Sequence, residues 1–162
     1  PTTALDVTIQ AQILDLMKDL QKQLGMAIIL ITHDLGVVAE MCDDIIVMYA
    51  GQVCERGTAD EIFYSPKHEY TLGLMRSIPT VSDEHEKLQP IGGSAVDLLN
   101  MPPGCPFAPR CDAAMKVCLE KNPVLLDVST THKVRCWNHV KGLIEEGKVT
   151  MKEIEEMYAD EQ

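Results

Sequence analysis

The residues with the most chemical potential in this chain are its cysteines. There are six, and four of them, Cys105, Cys111, Cys118 and Cys136, follow one another with five, six and seventeen residues between. Four thiolates around a metal suit zinc or an iron–sulfur cluster. No secretory leader is visible, so such a grouping reads as a metal site before a disulfide framework. Zinc sites usually draw ligands from tight C-x2-C knuckles, and none is present. Gly104-Cys105-Pro106-Phe107 and Pro109-Arg110-Cys111 read as stiff turns that present sulfurs inward. Arg110, Lys116, Lys121, Lys133 and Arg135 surround them, and positive charge favours thiolates. Zinc and an iron–sulfur cluster both remain open at this point, with free or disulfide-bonded thiols as a third reading. His132 and His139 flank Cys136 as reserve ligands, and Trp137 reads as a cover over the metal site. Cys42 and Cys54 read as packed core thiols, His68 and His85 as solvated.

A second constellation lies at the start of the chain. Pro1-Thr2-Thr3-Ala4-Leu5-Asp6 leads into a helix, and His33 stands just past an apolar run, Ala27–Ile31. If that run is a strand of an open α/β sheet, His33 sits at the strand end where ligands bind. An imidazole there can donate a hydrogen bond to a phosphate oxygen. Taken singly, His33 reads equally as a solvated loop histidine and Asp6 as a helix cap.

The elements that must position these groups follow from periodicity. Ile9, Ile13, Leu16, Met17, Leu20 and Leu24 form one face at helical spacing, with Asp6 or Thr8 as cap and Gly25 as stop. Ala27–Ile31 predicts a strand buried on both faces, and a short helix follows over Leu35–Met41. Ile45–Tyr49 predicts a second buried strand. Ala50-Gly51 turns the chain, and Gln52–Glu55 pairs back as a hairpin. A short helix opens at Gly57-Thr58 and runs through Phe63. Another starts at Ser65-Pro66 and runs to Ile78. Alternating strands and helices predict a parallel α/β layer. Residues 79–98 read as a surface linker, residues 99–140 as an irregular cysteine-rich segment with a short helix near Asp112–Glu120. Residues 141–162 read as an acidic helical tail, with Ile144, Met151, Ile154 and Met157 as its contacts.

Composition narrows the function classes. The chain has 162 residues, 46% of them apolar, and a net charge of −11. That is enough to bury a real core. No run of 18 apolar residues occurs, which excludes a membrane-spanning helix. The acidity argues against nucleic-acid binding, which needs a basic face. A first residue of Pro1 rather than Met makes the chain read as a fragment or processed piece.

Together, the motifs resemble the ATP-binding-cassette (ABC) ATPases. Pro1-Thr-Thr-Ala-Leu-Asp6 resembles the D-loop of that family, Ile31-Thr-His-Asp-Leu35 its switch-histidine segment, and Ile45-Ile-Val-Met-Tyr-Ala-Gly51 the strand and turn that follow. Gly104-Cys-Pro-Phe-Ala-Pro-Arg-Cys111, Cys118, Asn122-Pro123 and His132-Lys-Val-Arg-Cys136 resemble the C-terminal extension of the oligopeptide/dipeptide-importer ATPase subunits. This resemblance implies the C-terminal part of a P-loop-type, RecA-like nucleotide-binding domain over residues 1–78, then a linker, a four-cysteine extension and the tail. It implies that His33 senses the ATP γ-phosphate, and that Asp6, with Thr3, Ala4 and Leu5 shaping its loop, reaches across a dimer of ATPase subunits. It implies a [4Fe-4S] cluster on Cys105, Cys111, Cys118 and Cys136, with zinc as the alternative, acting as a structural staple rather than a catalyst. ATP and Mg would belong to the intact parent only.

The implied partners are a second ATPase subunit and transmembrane permease subunits, at the cytoplasmic face of the membrane. A chain expressed alone would be cytoplasmic. No Gly-x-x-x-x-Gly-Lys-Ser/Thr loop, Leu-Ser-Gly-Gly-Gln signature or Walker B carboxylate occurs, so the chain alone is expected not to hydrolyse ATP. An incomplete sheet predicts self-association. Two other readings stay in play: a freestanding metal-binding interaction module on a truncated ABC scaffold, and a DNA-associated ABC ATPase, which net −11 and the cysteines oppose.

Overall fold

The computed structural model describes residues 7–78 and 90–160, and divides into two compact units, Pro1–Asp43 and Asp44–Gln162. The D-loop-like Pro1–Asp6 and residues 79–89 of the expected linker, His85 among them, lie outside the described residues.

In the first unit, α1 (Val7–Leu24) ends where Gly25 takes a positive φ of 62°. The helix is as expected, but its burial is not. Leu14 is the buried residue, whereas Ile9, Leu16, Leu20 and Leu24 are exposed. The second helix, α2 (Leu35–Met41), keeps its expected bounds because Asp34 Oδ1 accepts from the Gly36 and Val37 amides. Gln10 donates to Asp34, and Lys18 pairs with Glu40 at 2.9 Å, which ties α1 to α2. The expected strand Ala27–Ile31 does not form, and Ile29 and Ile31 are over 90% exposed. A strand exists only through its pairing, and no strand among the described residues lies alongside this run.

The second unit is built on an antiparallel sheet, not the expected parallel layer. β1 (Asp44–Tyr49) and β2 (Gln52–Thr58) are joined by Ala50-Gly51, both at positive φ. Such a two-residue turn matches the strand twist and forces an antiparallel hairpin. The sheet order is β1-β2-β4-β3, where β3 is Leu126–Asp127 and β4 is Lys133–Val134. β1 is therefore not buried on both faces: Ile46 and Met48 are exposed, while Ile45 is buried. Because Glu55 pairs with Val134, residues of the ATPase-like stretch and of the cysteine-rich stretch share one sheet.

After β2, a capping box between Thr58 and Glu61 opens α3 (Ala59–Tyr64). The next helix, α4 (Glu69–Arg76), starts at His68 and not at Ser65-Pro66. Ser65 instead closes α3, and His68 Nδ1 accepts the Tyr70 amide at 3.0 Å, so the ring takes the capping role. The core of the unit gathers Ala108, Cys118, Val124, Leu126, Trp137, Val140 and Ile154. These come from a 3-10 turn (Ala108–Arg110), α5 (Lys116–Glu120), β3, α6 (Trp137–Glu145) and α7 (Met151–Asp160), with Val124 from the segment between α5 and β3. Of the expected tail contacts, Ile154 is fully buried and Ile144 packs on the core, but Met151 and Met157 are exposed. No helix of the described residues is long and apolar enough to cross a membrane.

Candidate metal centre

The four clustered cysteines sit on short, hydrogen-bonded turns. Gly104 brings Cys105 against α5, where its amide donates to the Cys118 carbonyl at 2.8 Å. Ala108 and Cys111 continue this turn through bonds to the Cys105 and Ala108 carbonyls. Cys118 lies on α5. Cys136 stands just past β4, where the Arg135 amide donates to the Cys54 carbonyl at 2.8 Å and α6 begins.

These turns bring Cys105, Cys111, Cys118 and Cys136 onto one small cavity, walled by His68, Phe107 and Trp137 among others. Backbone amides face each sulfur. Cys105 receives Phe107 and Ala108, Cys111 receives Ala113, and Cys136 receives Asn138 and His139. The Met115 amide donates to the Cys118 Sγ at 3.4 Å. All six cysteines are free thiols, which leaves the disulfide reading without a bond in this structure. Among the described residues, no three His, Cys, Asp or Glu side chains converge closely enough to hold a metal ion. The thiols thus ring a space and do not close on a point.

Electrostatics differ from the sequence expectation. Burial pushes the Cys105 and Cys136 thiols up, and Cys111 up to about 11. Three of the five nearby cations are engaged elsewhere. Arg110 bonds the Gly92 and Ile91 carbonyls, Arg135 those of Val53 and Pro123, and Lys133 pairs with Asp127. Burial thus favours the neutral form of these three thiols.

Other expectations fall out unevenly. Trp137 is buried against the cavity and its Nε1 donates to the Lys121 carbonyl, as a cover would. Cys54 is a buried core thiol, pushed up to about 12 by burial and by neighbouring Cys105. His132 is no reserve ligand: its Nε2 meets Glu55 Oε1 at 2.7 Å, both groups wholly enclosed. His139 is half-buried, with its Nε2 3.4 Å from the Asp127 carbonyl. His68, read as solvated, is only 3% exposed and lines the cavity. Burial lowers it to about 4 against the opposing pull of Glu55, so the ring is neutral. Glu55 itself accepts from the Lys67 amide at 2.6 Å and the His68 amide at 3.1 Å. Sequence reasoning missed this Glu55 hub, since a glutamate in a hairpin strand reads as solvent-facing. The faint signal was His68 before a helix with no better capping side chain.

His33 is exposed on the bend before α2, beside the capping Asp34. Thr3, Ala4, Leu5 and Asp6, expected at a subunit interface, lie outside the described residues.

Comparison with known proteins extends this picture. Residues 54–118 match a family described as oligopeptide/dipeptide transporter, C-terminal region. The chain is 58% identical over 138 residues to the oligopeptide transport ATP-binding protein OppD of Bacillus subtilis, covering 85% of this chain and 38% of that protein. It is 53% identical over 137 residues to the dipeptide transport ATP-binding protein DppD of the same organism, covering 85% and 41%. It is 50% identical over 137 residues to OppD of Haemophilus influenzae, covering 85% and 42%. The chain spans about two-fifths of the length of the curated relatives it matches. Over most of its length the chain is similar to the ATP-binding proteins of oligopeptide and dipeptide importers, and residues 54–118 match the family of their C-terminal region.

Proposed function

We propose that this chain forms the C-terminal part of the ATP-hydrolysing subunit that powers peptide import across a membrane, and that its four-cysteine cavity holds a [4Fe-4S] cluster. The carrying observation for the first part is identity above 50% to peptide-transport ATP-binding proteins over 85% of the chain. On this reading His33 responds to the γ-phosphate, and Thr3, Ala4, Leu5 and Asp6 face a second ATPase subunit. ATP and Mg bind only when the phosphate-cradling loop, which this chain does not contain, is supplied. The subunit works at the cytoplasmic face against transmembrane permease subunits.

The cluster reading is supported by the cavity. Four thiols line one cavity and each faces backbone amides, an arrangement that suits a thiolate-bound group. Cys105, Cys111, Cys118 and Cys136 would hold it, and it would cross-link the turn, α5 and the β4–α6 junction. That is a structural role for a segment with strands of two residues.

Two measurements test the proposal. Protein purified without oxygen is expected to carry about four iron and four sulfide per chain; one zinc and no sulfide would sink the cluster reading. Fused to the N-terminal part of a close relative, the chain is expected to restore ATP hydrolysis and peptide uptake, both lost in His33→Ala. Hydrolysis by the chain alone, or a fusion indifferent to His33, would refute the assignment of roles.

A further inference from the structure

A polar cleft lies beside the cysteine cavity, within the second unit. Its volume is about 290 Å³, at the small end of the range for ligand pockets. Three pieces of chain wall it: α4, the strap of residues 90–93, and the turn of residues 107–112. Close approaches fix these walls. Gly73 of α4 makes room for the strap, because a Cβ there would lie 2.8 Å from Ile91 Cγ1. Gly93, at a positive φ of 75°, makes room for Arg110, whose Cγ would lie 3.2 Å from an added Cβ. Arg110 ties the strap to the turn: its Nε donates to the Gly92 carbonyl at 2.8 Å and its Nη2 to the Ile91 carbonyl at 3.0 Å. The cleft is therefore preformed, and Arg110 is engaged in shaping it. The other charged groups on its wall are Glu69, Arg76 and Asp112. Among the described residues, none of these three makes an ion pair or a side-chain hydrogen bond. Glu69 is half-buried and Arg76 exposed.

Glu69, Gly73 and Arg76 follow one another at spacings of four and three, so they share one face of α4. Two helical turns separate the carboxylate-bearing residue from the guanidinium-bearing one, about 10 Å along the axis. The cleft thus has a negative end and a positive end. An anion entering it would meet Glu69 and Asp112, and a cation would meet Arg76 and Arg110. A net-neutral molecule with one charge of each sign at its ends meets neither objection. About 10 Å is also the reach of three extended residues. We propose that this cleft binds a short peptide with free termini, about three residues long. Glu69 takes its ammonium group, and Arg76 takes its carboxylate, which matches the guanidinium fork. The Gly92 and Gly93 amides, which bond to nothing among the described residues, are left to donate to its backbone. The ligand class comes from the cleft itself; that it is also the class of molecule the transporter carries rests on the reading under Proposed function.

The test is calorimetric titration of the full chain with four probes: trialanine, trialanine amide, N-acetyl-trialanine amide and free alanine. Trialanine is expected to bind one molecule per chain. The doubly blocked peptide, and free alanine, which cannot span the two charges, are each expected to bind at least about tenfold more weakly. Arg76→Gln and Glu69→Gln are each expected to weaken trialanine about tenfold. Arg76 is exposed, so Arg76→Gln should keep the wild-type Tm, which the same samples report. The amide probe fixes the orientation. Trialanine amide has no carboxylate, so Arg76→Gln is expected to leave its affinity at the wild-type value, while Glu69→Gln still weakens it. No binding of trialanine at millimolar concentration would overturn the proposal. So would equal binding of the free and doubly blocked peptides, or an Arg76→Gln variant that weakens trialanine amide as much as trialanine. The outcome is separable from the import reading. Trialanine that fails to bind while a fusion restores uptake would overturn this site alone; binding that persists while every fusion stays inactive would overturn the import reading and leave the site standing.

Discussion

Replacing Gly104 by alanine tests how tightly the first cysteine is locked to the helix carrying the third. Gly104 needs no unusual φ; what excludes a side chain is space. A Cβ built there overlaps the Cys118 carbonyl oxygen and lies 2.6 Å from the Leu119 carbonyl carbon and 2.7 Å from its oxygen. These are backbone atoms of α5 and its C-terminal turn, so no rotamer change can clear them. Relief requires the Cys105 turn and α5 to separate. Overpacking of this kind costs about 1–3 kcal/mol. Separation also stretches the 2.8 Å bond from the Cys105 amide to the Cys118 carbonyl, for about 1 kcal/mol more. A total near 3 kcal/mol is a large share of a small domain's stability and lowers its Tm by roughly 10 °C. The control is Gly142→Ala within α6, where nothing lies within 4 Å of the new methyl group. There alanine's helix propensity should add up to about 1 kcal/mol. Thermal and urea unfolding of the two variants beside wild type is the assay. If Gly104→Ala melts with wild type while Gly142→Ala behaves as expected, the close approach of the Cys105 turn to α5 is wrong.

Three further outcomes follow from particular contacts. Glu55→Ala strands the Lys67 and His68 amides and His132 Nε2 in an enclosed site. A loss of about 3–5 kcal/mol in urea unfolding is expected, with Glu55→Gln milder; a neutral Glu55→Ala would contradict the hub. Glu61 is held down to about 2 from 4.5, first by the Thr58 amide and also by the Thr131 and Ser129 hydroxyls. Its stabilisation is therefore complete above pH 4.5 and is lost as pH falls through 2. Stability measured over that window should slope less in Glu61→Gln, and identical slopes would refute the capping role. In the first unit, the exposed Ile29 and Ile31 should drive concentration-dependent association that Ile31→Lys weakens; a single monomeric species at high concentration in sedimentation would count against it.

What the sequence made legible depended on how local the cause was. The bounds of α2 follow from Asp34 bonding amides two and three residues on, and the β1–β2 hairpin from a two-residue turn; both causes lie inside a short window. Ala27–Ile31 carries every local sign of a buried strand and forms none, because a strand needs a neighbour and its own residues cannot provide one. The helix after Ser65-Pro66 starts three residues later than that dipeptide suggests because the buried His68 imidazole takes the cap, and only tertiary burial keeps that imidazole a neutral acceptor. Likewise Glu55 and His132 are 77 positions apart, and nothing in either local pattern marks them as partners.

The cysteines show why a chemical signature survives where its supports do not. Thiols announce their chemistry by type, so the four positions could be named from spacing alone. What places them is another matter. Cys136 follows directly on the bond from the Arg135 amide to the Cys54 carbonyl, and on the pairing of Val134 with Glu55. The fourth thiol is therefore set by the register of β2, some eighty residues earlier in the chain. The same Glu55 accepts from the amide of His68, which also lines the cavity. A one-residue slip between β2 and β4 would turn Val134 out of the core and move Cys136 away from its three partners together. The hairpin of the ATPase-like stretch is thus half of the scaffold for the cysteine site, and perturbations of β2 should register at the thiols before they register anywhere else.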